Sequence, residues 1–138
     1  MRDDEERFAE LANVALVGQG RPRWAEDFCR ARRVRFDCLV SPDNGAHRAY
    51  GLIRGSWRQV FGPKQVARGT RSALSRGPET IQGVTRGDGR QLGGAFIVDT
   101  AGIVRYAHHA RESSDNPPNR VLLEALGQLR TANDEVGP

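Results

Sequence analysis

At 138 residues the chain has the size of one domain, long enough to bury a core without leaning on disulfides. Its 38% apolar and 28% charged residues are those of a soluble globule, and a net charge of only +4 speaks against nucleic acid as its main partner. No stretch approaches the roughly 18 apolar residues of a membrane span, and the opening MRDDEERF is too acidic and polar for a signal peptide. A cytoplasmic protein is therefore expected, with Cys29 and Cys38 as thiols at rest. Their spacing fits no common zinc or CxxC pattern.

In chain order, Phe8, Leu11 and Ala12 stand at helical spacing among charges, which suits the last turns of a helix over residues 3–12. Asn13 to Gly18 reads as a short buried strand, ended by Gly18-Gln19-Gly20. Pro22 opens a helix with Trp24, Ala25, Phe28 and Cys29 on one face. Phe36 to Val40 is the next strand, with Phe36, Cys38 and Val40 sharing a face; Ser41-Pro42-Asp43-Asn44 then turns the chain and caps a short helix through His47 and Tyr50. Strand, helix and strand in this order imply a parallel, right-handed βαβ unit.

From Gly51 to Gly83 the pattern is weaker, with helices expected in Trp57 to Phe61 and Gln65 to Ser75. No acidic residue lies between Asp43 and Glu79, where Arg48, Arg54, Arg58, Lys64, Arg68, Arg71 and Arg76 all fall. Beyond it, Ala95 to Val98 and Ile103 to Ala107 flank the turn residues Asp99-Thr100-Ala101-Gly102, a hairpin pattern. Asp115 and Asn116 can cap a helix whose first turn holds Pro117 and Pro118, where a missing N–H costs nothing. That helix lays Val121, Leu122, Ala125, Leu126 and Leu129 along one face. One domain over residues 1–130 and a flexible tail over 131–138 are expected.

With the elements placed, the chain resembles the peroxiredoxin-like branch of the AhpC/TSA (redoxin) family. The likeness is carried by VALVGQG at Val14 to Gly20, FDCLVSPDNGAHRAYGL at Phe36 to Leu52, LGGAFIVDTAGIVRYAHH at Leu92 to His109 and DNPPNRVLLEAL at Asp115 to Leu126. It implies an α/β thioredoxin-like fold, a three-layer α/β/α sandwich on a mixed sheet, and thiol antioxidant or oxidoreductase chemistry with no metal or organic cofactor. In that family a strand and a loop bearing the reactive cysteine precede the first long helix. No counterpart stands ahead of the segment ending at Ala12, and Gly93-Gly94 occupies the place of an expected active-site arginine or cis-proline. The absent strand would be central. With neighbouring strands about 4.8 Å apart, its loss opens a slot near 10 Å wide. The slot closes, another chain fills it, or the natural protein begins further upstream; the last is the preferred reading.

Among candidate site residues, Cys38 on the Phe36/Val40 face and Cys29 on an apolar helix face read first as buried structural thiols. Arg30, Arg32 and Arg33 would lower the pKa of an exposed Cys29, and a Cys29–Cys38 bond requires the helix to pack over the strand with Cα atoms within about 7 Å. His108 and His109, adjacent on a strand, point to opposite faces and cannot share one metal, so solvation at a strand end is expected for them. His47 has no partner at ligand spacing, and no metal site is expected. Arg54, Arg58, Lys64, Arg68 and Arg71 are the candidates for holding an anion, against the simpler account of a solvated face. The function expected is that of a thiol-redox family member lacking its reactive-cysteine loop, inactive or truncated as it stands, with a thiol reductant as partner in an active form. The alternative is a non-catalytic homodimerisation or anion-binding module.

Overall fold

The computed structural model describes residues 4–56, 58, 62–64, 66, 67, 71, 74 and 89–135. Its elements in order are α1 (Glu5–Leu11), β1 (Ala15–Gln19), α2 (Pro22–Ala31), β2 (Asp37–Ser41), α3 (Gly45–Ala49), β3 (Gly94–Val98), β4 (Val104–His109) and α4 (Asn119–Glu135). This is a mixed α/β arrangement of small sheets and helices, compatible with a thioredoxin-like fold. β1 and β2 pair in parallel, Leu16 opposite Cys38 and Gly18 opposite Val40, with α2 as the crossover between them. β3 and β4 pair antiparallel, Ala95 opposite His108 and Ile97 opposite Tyr106. Among the described residues these are two separate two-stranded sheets rather than one continuous mixed sheet. The expected helices of 57–61 and 65–75 lie largely outside the described residues.

The core gathers around Phe8, 1% exposed, which packs with Leu122 and Leu123 of α4. Leu11, Val14 and Phe36 reach it from the front of the chain, and Ala95, Tyr106 and Leu126 from the back. Full burial of such a ring contributes about 1.5–3 kcal/mol. The same junction is fixed by polar contacts: Asn119 donates to Asp4 at 2.9 Å, Arg130 donates to the Glu10 carbonyl at 3.1 Å, and the Arg35 amide donates to Glu5 at 2.9 Å. The Asn119 bond is the main reason the Asp4 carboxyl is held below its ordinary value, with Arg7 adding to it.

Several boundaries and faces differ from those read in the sequence. Pro117 and Pro118 precede α4 instead of opening it; the Pro118 carbonyl accepts from the Val121 amide at 3.0 Å, so the proline serves as the entry to the first turn. Asp115 does not cap that helix, being drawn to the Arg111 amide and His108. The helix also continues to Glu135, past the point where the tail was expected to begin. On α2, Cys29 is buried but Phe28 is 51% exposed. The ring of Phe28 lies outside the core with the Arg32 guanidinium 5.2 Å from its centroid, a cation–π contact that accommodates an aromatic in solvent. β2 alternates as expected: Phe36, Cys38 and Val40 turn inward, and Leu39, 53% exposed, turns out.

The hairpin owes its geometry to two residues. Asp99 Oδ1 accepts from the Ala101 and Ile103 amides at 2.9 Å each, and Gly102 supplies the positive φ of 81° that closes the turn. At the far end, a Cβ on Gly94 would lie 2.5 Å from the His108 carbonyl oxygen and 2.7 Å from Leu52, so only glycine allows the strands and the Leu52 segment to meet there. That segment runs alongside residues 90–92, with Arg54 bridged to Gln91, and the Gly55 amide donates to the Arg90 carbonyl at 2.7 Å.

Candidate functional site

The two cysteines are brought together. Cys29 lies in the last turn of α2 and Cys38 in β2, their Cα atoms 6.7 Å apart, and their sulfurs are joined as a disulfide. No free cysteine remains, so the expectation of two thiols at rest is corrected. The cause is local packing: α2 crosses over the inward face of β2, which carries Cys38, and the turn between them is tight. The Val34 amide donates to the Cys29 carbonyl at 2.9 Å, the Arg32 amide to the Phe28 carbonyl at 3.0 Å, and Arg33 takes a left-handed φ of 52°. Cys29 is 9% exposed and Cys38 is partly buried, its Sγ 3.5 Å from the Phe36 carbonyl oxygen.

The histidines have specific partners, which replaces strand-end solvation as their account. His108 donates from Nε2 to Asp115 Oδ1 at 3.1 Å. The Asp115 carboxyl is held low, chiefly by the Arg111 amide and then by His108. His109, on the opposite face, donates from Nε2 to the Tyr50 carbonyl at 2.8 Å and stands edge-on to Phe96 at 5.2 Å. Tyr50 and Phe96 meet at 4.7 Å, and these three rings, with Ala49, Gly51, Val104 and Ala107, line a shallow, open and mainly apolar depression. The hairpin register puts Phe96 and His109 on one face, and nothing local in the sequence brought Tyr50 to it.

His47 is buried at 8% exposure with Nδ1 unpartnered, and burial pushes its pKa down. The loop leading to it is built by Ser41 and Asp43: the Ser41 hydroxyl accepts from the Ala46 amide at 3.0 Å, and Asp43 accepts from the Gly45 amide at 2.9 Å, the main cause of its lowered pKa. Among the described residues no group of three His, Cys, Asp or Glu side chains is placed to hold a metal ion. Of the anion candidates, Lys64 pairs with Glu112 at 3.7 Å, Arg54 sits in the bridge to Gln91, and Arg58 and Arg71 are exposed. Arg68 lies outside the described residues. No described helix is long and apolar enough to cross a membrane.

A parallel βαβ unit and a closing hairpin with its helix make this a mixed α/β protein compatible with a thioredoxin-like fold. Residues 2–112 match the family model described as AhpC/TSA antioxidant enzyme, and the chain belongs to that family. It is similar to peroxiredoxin-like 2C from Bos taurus, 25% identical over 127 residues, and to peroxiredoxin-like 2C from Homo sapiens, 25% identical over 129. Each alignment covers 87% of this chain and 56% of the relative, so the chain spans little more than half the length of the curated relatives it matches. No solved structure matches.

Proposed function

We propose that this chain is a cytoplasmic member of the thiol antioxidant family that does not reduce peroxides with its own two cysteines. The observation that carries the reading is the position of Cys29, in the last turn of α2 and bonded to Cys38. Peroxide reduction needs a free thiolate, which attacks one peroxide oxygen, breaks the O–O bond, releases hydroxide and itself becomes sulfenic acid. Such thiolates are favoured at helix N-termini, where unpaired amides and the positive end of the dipole face the sulfur. Cys29 sits at the opposite, negative end and is nearly enclosed. The family's peroxide chemistry therefore calls for a thiolate other than these two, in a three-layer α/β/α sandwich whose sheet is completed by a strand between β1 and β3.

Hydrogen peroxide consumption by the purified chain with dithiothreitol as reductant tests this. The rate should equal that of dithiothreitol alone. A protein-dependent rate abolished by Cys29→Ser would overturn it.

A second reading is favoured by the two-stranded sheets, since each strand pairs along only one edge among the described residues. Open edges accept strands, and a second copy of the chain would satisfy them. Light scattering decides: a stable dimer supports a self-assembling module, and a monomer at all concentrations removes it. The anion-binding alternative is less supported, because Lys64 already faces Glu112.

A further inference from the structure

We propose that the Cys29–Cys38 bond is an exchange-active disulfide, opened by an external dithiol that attacks Cys38. The elements carrying the two sulfurs hold their places without the bond. β2 is fixed by its parallel ladder to β1, and the end of α2 is fixed by the Arg32, Arg33 and Val34 amides donating back into the helix. With the bond open, the two thiols remain opposite one another, ready to close again. A purely structural staple would instead join segments that separate once it is cut.

The two sulfurs differ in access and in surroundings. Cys38 is the more open, and Cys29 is 9% exposed. Attack falls on the more accessible cysteine. The Phe36 carbonyl oxygen, 3.5 Å from Cys38 Sγ, is an acceptor for the Cys38 S–H once reduced.

The step balances as ordinary thiol–disulfide exchange. A thiolate of the dithiol forms a bond to Cys38 Sγ; the Cys29–Cys38 bond breaks, and Cys29 leaves as a thiolate. The second thiolate of the reductant then attacks its own sulfur in the mixed disulfide and releases Cys38. Two electrons and two protons pass from the dithiol to this chain, which ends with two thiols, and the reductant ends as a disulfide. Reoxidation by a small disulfide runs the same steps in reverse. No peroxide enters, so the exchange stands or falls separately from the absence of peroxidase activity.

The experiment uses the native chain, without denaturant, with dithiothreitol as reductant and glutathione disulfide as oxidant, read by alkylation and intact mass. Full reduction and return to the same intramolecular bond are expected. With glutathione disulfide, Cys29→Ser, which keeps Cys38, should form a mixed disulfide about tenfold faster than Cys38→Ser. Peptide mapping of the transient adduct in the unsubstituted chain reads the same preference if either variant folds poorly. Reduction that occurs only after unfolding in urea, or an adduct that forms first on Cys29, overturns the proposal.

Discussion

The front of the molecule, β1 through α3, and its back, the β3–β4 hairpin with α4, are held by different forces. The front keeps Val17, Phe28 and Leu39 about half exposed, and its helix is joined to its strand by a covalent bond. The back contributes Leu122 and Leu123 to the buried cluster found among the described residues and closes on Phe8 from α1. Where apolar burial is scarce, a crosslink that narrows the unfolded ensemble supplies stability that side-chain packing supplies elsewhere.

The largest test of that contrast is Phe8→Ala. Removing a ring at the meeting point of α1, α4 and the hairpin should cost about 3–5 kcal/mol in urea unfolding. A loss under 1 kcal/mol would mean the cluster is not the seat of stability. Next comes the front: replacing both cysteines by serine should lower stability by about 2–3 kcal/mol, the expected range for a short closed loop. Hydrogen exchange should show faster opening in α2 and β2 than in α4; uniform acceleration would deny that the two regions differ. Gly94→Ala follows, at about 1–3 kcal/mol, since its methyl group meets the His108 carbonyl across the hairpin. Rescue by trimming Leu52 alone would show that the backbone contact is not limiting.

The smallest effects are those of pH. Burial lowers the pKa of His47, so the unfolded chain binds its proton more readily, and stability from the front should fall as pH drops below about 6.5. Asp99 is held low by the Ile103 amide and Arg105, and Asp115 by the Arg111 amide and His108. Their stabilisation is complete above the ordinary carboxylate pKa near 4 and declines only below it. Urea midpoints from pH 8 to 3 should therefore weaken in two stages, and His47→Gln should remove the upper one.

Much of the back was legible because its signals are local. Asp99 to Gly102 states a turn, the flanking residues alternate, and Val121, Leu122, Ala125 and Leu126 repeat at helical spacing. The βαβ order of the front was equally readable from Pro22 and the two short apolar runs. The failures involve partners distant in sequence or rivals for one side chain. Asp115 is a good helix cap in isolation, but His108 and the Arg111 amide compete for it and win. Phe28 fits an apolar helix face until Arg32 offers it a place in solvent. The disulfide depended on how closely α2 lies over β2, a distance that spacing alone bounds without deciding.

Phe8 and its cover, Leu122 and Leu123, stand at opposite ends of this chain. Synthesis runs at about 5–20 residues per second, so the ring waits roughly 6 to 23 s after leaving the synthetic machinery before α4 exists to enclose it. Over that interval Leu11, Val14 and Phe36 are the ring's packing partners on the growing chain. The hairpin and α4 follow the front in the chain, and Ala95, Tyr106, Leu122, Leu123 and Leu126 then enclose the ring.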